Sequence, residues 1–378
     1  MRDLIALDMA ASHQLVDVIQ SVWDSGNAFA PIDQRLPAKA KQRLVESLQP
    51  ALIMDSSGSV TKLKNAMPIE DGQCLAMATS GTTGNPKIVM FSMNQISASA
   101  QATSDHIGVT SSDKWLCCLQ VSHIGGLSVI LRAMLLGNPI EIHDGFEADR
   151  VKMAAKDGAT LASLVPTALA QLDPYIFRKI ILGGSKPPPQ IPHNAIVTYG
   201  LTETGSGMVY DGSPLRGAEI KISENDEILL KGPMIATSYR SGAPIQDQLG
   251  WFHTNDAGSF NAGKLQVFGR MDEIINTGGE KVFPGAIESV IESHPKVRQV
   301  AVIALPDPKW GEAVTAVVVP NPLLNPPQLS EIRDLVKSEL PPYCAPTRLH
   351  LINKMPTTGL GKIQKNILKD QFSQVTHS

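Results

Sequence analysis

Thr79-Ser80-Gly81-Thr82-Thr83-Gly84-Asn85-Pro86-Lys87 is the stretch on which the reading of this chain turns. It places four hydroxyl side chains, two glycines and a lysine within nine residues. Glycines let backbone N–H groups converge on an anion, and hydroxyls add donors that rotate to suit it. A lysine supplies a mobile positive charge for phosphate oxygens. The apolar run Cys74-Leu75-Ala76-Met77-Ala78 ahead of it reads as a buried strand, and Asn94 to Ala102 behind it as a helix. The expectation is strand, phosphate loop, helix. A Walker A loop is excluded, because Lys87 lies between Pro86 and Ile88 and Gly-Lys-Ser/Thr is missing. Taken alone, the stretch also reads as a hydroxyl-rich surface turn.

The chain has 378 residues, too many for one ordinary core, so two or three lobes are expected. It is 43% hydrophobic and 18% charged, a globular composition. A net charge of -3 gives no broad basic surface, which argues against nucleic acid as a partner. The longest apolar candidate, Ile124 to Leu136, is too short for a membrane span and is interrupted by Arg132. Asp3 and Asp8 do not suit a secretory signal. Cys74, Cys117, Cys118 and Cys344 match no zinc or redox spacing and read as buried, reduced thiols of a cytoplasmic protein.

Residues 1–70 read as an amphipathic helix, Leu15 to Trp23, among loops. From 72 to 210, short apolar runs alternate with helical stretches, at Leu116–Leu119, Ile140–Ile142, Thr160–Val165, Lys179–Leu182 and Ala195–Val197. Such alternation argues a mostly parallel α/β sheet. Residues 213–270 read as a small β-rich subdomain, with strands at Ala218–Ile222, Glu227–Lys231 and Lys264–Phe268. After Arg270 the pattern is that of a compact α+β lobe. The expected domains are therefore 1–270, large and α/β, and 271–378, small and α+β.

Five further motifs follow the phosphate loop in order. Gly183-Gly184-Ser185 sits after the run Lys179–Leu182 and reads as a tight turn. Tyr199-Gly200-Leu201-Thr202-Glu203 follows Ala195–Val197, just past the carboxyl end of a strand, where α/β sheets bind ligands. Read alone it is also a capped helix start. Trp251-Phe252-His253-Thr254-Asn255-Asp256 leads to Gly269-Arg270-Met271-Asp272. Asn276-Thr277-Gly278-Gly279-Glu280-Lys281-Val282 reads equally as a hairpin turn. Thr358-Gly359-Leu360-Gly361-Lys362-Ile363 lies near the C-terminus.

In this order the motifs resemble those of the adenylate-forming enzymes: acyl-CoA synthetases, luciferases and peptide-synthetase adenylation domains. The resemblance covers nearly all of residues 72–370. It implies that Thr79 to Gly84 and Lys87 cradle the phosphates of ATP, that Gly183 and Gly184 wall the adenine and acyl pockets, and that Tyr199 and Gly200 lie at the adenine. It implies that Thr202 contacts the α-phosphate and Glu203 holds Mg²⁺, since a carboxylate beside a triphosphate is repulsive without a metal between them. Asp256 would accept both ribose hydroxyls, with Arg270 helping. Asp272 would be the hinge, and Gly278 and Gly279 would line the pantetheine tunnel for CoA. Lys362 would stabilise the transition state of adenylation.

Ser122-His123-Ile124-Gly125-Gly126-Leu127 opens a helix running to Leu136. With Arg132, Ser163-Leu164-Val165-Pro166-Thr167 and Val209-Tyr210-Asp211-Gly212, it looks like the o-succinylbenzoate–CoA ligases of menaquinone synthesis, in their shortened form. That acid is a dicarboxylate, so one carboxylate is activated and the other must be held. His123 and Arg132 are the expected holders, His123 also being a catalytic candidate. The plainer readings are a packed histidine and a surface arginine. Two departures stand out: a short segment before the phosphate loop, which would open the acyl pocket or shift it to a homodimer interface, and Ser122 where many relatives have an aromatic residue. Ligation of a fatty or aryl acid, transfer to a carrier-protein thiol, and a non-catalytic nucleotide-binding relative stay open as alternatives.

Overall fold

A computed structural model describes residues 2–79, 86–357 and 363–373. By its contacts the chain forms two compact units. One comprises Met1–Lys221, Leu229–Thr254 and Ala262–Leu265, the other Ile222–Ile228, Asn255–Asn261 and Gln266–Ser378.

The first unit contains two sheets. Strands β1 (Leu4–Asp8), β2 (Ala28–Pro31), β3 (Leu52–Asp55), β4 (Val60–Lys62), β5 (Gln73–Ala78) and β6 (Ile88–Ser92), with Ser238–Tyr239, form one in the order Ser238–Tyr239, β6, β5, β2, β1, β3, β4. The strands β5, β2, β1 and β3 run parallel. Helices α1 (His13–Asp24) and α2 (Ala38–Leu48) lie between them in sequence. Leu44 and Leu48 of α2 bury themselves with Leu4, Ala28, Ala30 and Ala76 of the sheet. Residues 1–70 are therefore more than helix and loops. They supply four strands, whose short runs such as Leu4-Ile5-Ala6-Leu7 are apolar on both faces and carry no alternation to announce them.

A second correction concerns the phosphate loop. The expected helix is α3 (Met93–Ile107), but β6 intervenes and pairs antiparallel with β5. The motif thus joins two strands of a hairpin rather than a strand and a helix. Ser92 then starts α3 through a reciprocal capping box with Gln95, and Gly108 ends it in the left-handed region.

The other sheet runs β13 (Ser213–Pro214), β12 (Val209–Tyr210), β11 (Ala195–Tyr199), β10 (Lys179–Leu182), β9 (Leu161–Leu164), β7 (Trp115–Cys117) and β8 (Ile140–Ile142). From β11 to β8 every pair is parallel. Helix α4 (Ile124–Leu136) follows β7 in sequence.

Strands Glu219–Ile222, Glu227–Lys231, Phe252–Asn261 and Lys264–Arg270 make a four-stranded sheet, the expected β-rich segment. In the second unit, the long strands Val297–Asp307 and Gly311–Pro320 pair antiparallel. Val300 and Val302 pack with Ile287, Ile291 and Ile332 of two helices, while Ala301, Ile303 and Leu305 pack with Leu368 and Phe372 of a third. The period of two along one strand therefore builds two cores. All four cysteines are buried and free, and no described helix is long and apolar enough to cross a membrane.

Arg240 holds the first unit together at long range. Its buried guanidinium donates to the carbonyls of Leu48 (3.1 Å), Pro68 (3.0 Å), Gln49 (3.4 Å) and Met67. The Leu48 and Gln49 carbonyls belong to the end of α2, where a helix leaves acceptors unpaired. Arg240→Met should destabilise this unit by about 2–4 kcal/mol, because buried acceptors lose a charged donor. Urea unfolding followed by tryptophan fluorescence checks this, and an unmoved first midpoint would show that water replaces the guanidinium without cost.

Candidate active site

Because β9, β10 and β11 are parallel, with Leu164, Leu182 and Val197 in register, their carboxyl ends share one edge. Gly183 and Gly184 follow β10 there. Tyr199 ends β11 half-buried, and Gly200 comes next. A Cβ on Gly200 would lie 2.2 Å from the Ser206 carbonyl oxygen, so any other residue would force the 200–206 loop apart. That loop contains the short 3₁₀ turn Thr202–Thr204, which buries Glu203 and leaves Thr202 half-buried.

Thr79 and Lys87 flank the phosphate loop and close its base, with the Thr79 amide donating to the Lys87 carbonyl at 2.8 Å. Ser80, Gly81, Thr82, Thr83 and Gly84 lie outside the described residues. Lys87 is exposed, and its Nζ stands 5.6 Å from the ring centre of Tyr239, a cation–π distance. The Tyr239 hydroxyl donates to Glu203 Oε1 at 3.1 Å. Burial, and then the Glu203 carboxylate, push the Tyr239 pKa up, so the phenol stays a donor. Tyr239 thus joins the lysine beside the phosphate loop to the proposed metal-binding carboxylate. Sequence reading missed it, since nothing near position 239 in the chain signals a partner 36 residues away.

His123 and Arg132 both belong to the α4 region but line different cavities. His123 is the N-cap residue of α4 and makes no capping bond with its side chain. With Asp33, Thr79, Pro86 and Ser122 it lines a cavity of about 250 Å³. Its Nε2 is 4.0 Å from Asp33 Oδ2. Burial lowers the His123 pKa, the Asp33 charge opposing this and Arg35 adding to it. Arg132, read as a surface residue in the plainer reading, is 3% exposed. Its guanidinium lies 4.9 Å from the Trp115 ring, and Nη2 donates to Ser128 Oγ at 2.7 Å. Nε and Nη1 have no hydrogen-bond partner among the described residues. Burial works against its charge and lowers its pKa. It borders a narrow cavity shared with Ser99, Ser128 and Gly205, the last just beyond Glu203.

In the second unit, Asp256 is buried in the strand Phe252–Asn261. Arg270 ends Lys264–Arg270 and donates from Nη1 to Asp256 Oδ1 at 3.1 Å, with its Nε 3.4 Å from Asp272 Oδ1. Burial disfavours the Arg270 charge, but the two carboxylates outweigh it and raise its pKa. The paired aspartate and arginine of the sequence reading are therefore a contact in space. Asp272 is exposed in the 3₁₀ turn Met271–Glu273. Gly278 (φ 61°) and Gly279 (φ 89°) form the two-residue turn of a hairpin between Ile275–Thr277 and Glu280–Val282, as the plainer reading had it. Lys362 lies outside the described residues. Thr357 and Ile363, flanking its loop, form an antiparallel bridge.

Among the described residues no three His, Cys, Asp or Glu side chains cluster as a metal site. Glu203 alone, buried with one oxygen fixed by Tyr239, suits an ion that takes one carboxylate and fills its shell with phosphate oxygens and water, as Mg²⁺ does.

A model of AMP-binding enzymes matches residues 56–240, and one of the AMP-binding enzyme C-terminal domain matches 286–362. A probable 2-succinylbenzoate–CoA ligase of Mycobacterium tuberculosis is 34% identical over 88% of this chain and 94% of its own. The o-succinylbenzoate CoA synthetase of Bacillus subtilis, in complex with the acyl-adenylate intermediate OSB-AMP, is 27% identical with a TM-score of 0.84, over 97% of this chain and 88% of that one. The same Bacillus enzyme with ATP and magnesium ion is 28% identical with a TM-score of 0.84, over 97% and 89%.

Tyr239→Phe keeps the ring beside Lys87 and removes the hydrogen bond to Glu203. Losing a hydrogen bond to a charged carboxylate is worth about 1.5–3 kcal/mol, so ATP binding in the presence of Mg²⁺ should weaken roughly ten- to a hundredfold. Calorimetric titration with and without Mg²⁺ tests this. Equal weakening in both would assign Tyr239 to packing instead of to Glu203.

Proposed function

We propose that this chain, which belongs to the AMP-binding enzyme family, is an ATP-dependent acid–CoA ligase whose acid is o-succinylbenzoate. In the first step the acid's carboxylate attacks the α-phosphate of ATP, giving the acyl-adenylate and pyrophosphate. In the second the thiol of CoA attacks the acyl carbon, giving the thioester and AMP. The product serves menaquinone biosynthesis, and the reaction is assigned to the cytoplasm, where ATP and CoA are supplied.

The candidate residues divide the work of this reading among them. The loop from Thr79 to Lys87 holds the triphosphate through backbone amides, hydroxyls and one cation. Thr202 donates to the α-phosphate, and Glu203 binds Mg²⁺, which when bound offsets phosphate charge. Tyr199 stacks on the adenine, with Gly183, Gly184 and Gly200 letting the backbone come close. Asp256, its carboxylate oriented by Arg270, accepts from the ribose hydroxyls. Lys362 carries its charge to the oxygens of the first transition state, and the Gly278–Gly279 turn serves the second step. Asp272 is the proposed hinge between the functional domains 1–270 and 271–378.

The observation that carries the choice of a dicarboxylate is Arg132. A buried cation with unpaired donors is costly unless an anion or water completes it. The adjoining cavity, about 10 Å³, has room for one water-sized group, such as a carboxylate oxygen. An acyl pocket for a fatty acid would need no such charge.

The direct test is acid-dependent pyrophosphate release from MgATP, with o-succinylbenzoate beside benzoate and a fatty acid, with and without CoA. Release specific to o-succinylbenzoate, with a thioester formed when CoA is added, is expected. Arg132→Gln should raise KM for o-succinylbenzoate roughly ten- to a hundredfold, the worth of a hydrogen bond to a charged group, and leave KM for ATP in place. A matching rise for ATP would remove Arg132 from the acid site. Lys362→Ala should slow adenylation by about a hundredfold or more while sparing thioester formation from supplied o-succinylbenzoyl-AMP. Loss of both steps together would contradict that division.

A further inference from the structure

The second step of the proposed ligase must dispose of a proton. An ordinary thiol has a pKa of about 8.5, so at neutral pH CoA arrives mostly protonated and is a weak nucleophile. A base within reach of the thiol is required, neutral before the reaction and stabilised once charged.

We propose that His123, with the Asp33 carboxylate facing its ring, accepts the thiol proton as CoA attacks the acyl-adenylate. The proposal rests on the ligase reading above. As the proton passes from sulfur to an imidazole nitrogen, sulfur forms a bond to the acyl carbon. The bond from that carbon to the phosphate oxygen breaks, and AMP leaves with the electron pair. The imidazolium afterwards returns its proton to water.

The geometry supplies each requirement. The His123 ring is not spent on capping α4. It opens on a cavity of about 250 Å³, whose wall includes Thr79 and Pro86 on either side of the phosphate loop. Apolar Leu36, Leu44 and Ala78 line the same space, so water competes poorly there. Asp33 faces the ring at 4.0 Å, a distance that protonation of the ring would shorten. The carboxylate cannot swing away, because Arg35 grips it twice, Nε to Oδ1 at 2.9 Å and Nη2 to Oδ2 at 2.7 Å, and its amide adds a bond to Oδ1 at 3.0 Å. Arg35 first of all, against some opposing burial, keeps the Asp33 pKa low and the carboxylate ionised. Burial keeps His123 neutral, as a base must be. Among the described residues, Arg43 of α2 is the remaining charged group on the cavity wall. Asp33 is thus a positioning residue, acting through His123.

The rival is that Asp33 and Arg35 merely clasp their own loop, and two half-reactions separate the two roles. Acid-dependent ATP–pyrophosphate exchange reports the first. Single turnover of supplied o-succinylbenzoyl-AMP reports the second, with either CoA or hydroxylamine as acceptor. Hydroxylamine attacks through a nitrogen lone pair and needs no prior deprotonation. For Asp33→Asn, the rate with CoA should fall at least about tenfold more than exchange does, while hydroxamate formation falls much less. The acidic limb of its pH–rate profile should move to lower pH. Removing the anion withdraws support from the imidazolium and so lowers the His123 pKa. For His123→Asn, the CoA rate should fall about a hundredfold or more, and the limb should disappear. Equal losses in exchange, CoA transfer and hydroxamate formation would make the pair structural and overturn the proposal. An unmoved acidic limb in Asp33→Asn would overturn it too. A native enzyme that releases no pyrophosphate with o-succinylbenzoate would instead strike at the ligase reading beneath it.

Discussion

The parallel pairing of β9, β10 and β11 is the constraint on which the proposed nucleotide-binding edge depends. Parallel neighbours finish at the same edge, and each must be followed by a connection that leaves over that edge. The connections here begin with small residues, Gly183-Gly184 after β10 and Gly200 after β11. Backbone rather than side chain is therefore presented at the rim. At Gly200 this is obligatory, because the loop returning at Ser206 occupies the space of a Cβ. The same close return buries Glu203, turning a residue type that prefers solvent into a fixed acceptor.

Two buried arginines show how burial separates structure from function. Arg240 and Arg132 are 6% and 3% exposed, and each pays a desolvation cost. Arg240 recovers it from carbonyls at the end of α2 and in residues 67–68, so its charge is spent within the fold. Arg132 recovers only part, from the Trp115 ring and Ser128. A fold that needed a cation between α3 and α4 merely for packing would have satisfied it. The unmet donors are the physical reason to look for an anionic group there.

The second unit solves a different problem with the same economy of residues. Its long strand pair is buried on both faces, so alternate side chains build separate cores against helices. Edges and turns are thereby freed. The Gly278–Gly279 turn is exposed, and the Asp256–Arg270 pair spans two strands, where the guanidinium holds the carboxylate in one orientation.

What the sequence by itself determined is what lies close along the chain. Glycine and hydroxyl spacing in 79–87, the order of the later motifs and the alternation of strands and helices from 72 to 210 were all legible, because loops and short elements are specified by neighbours in sequence. That Asp256 and Arg270 serve one ribose was implied by the family resemblance, and their contact with each other came from the structure. The tertiary structure decided the rest. It made β6 a hairpin partner of β5, since four apolar residues do not reveal which strand they will join. It drew residues 1–70 into the first sheet, placed Tyr239 between Lys87 and Glu203, buried Arg132 and set Asp33 against His123. Those contacts join residues dozens of positions apart, and a side chain's charge state and partners follow from what packs around it in space, which no local spacing records.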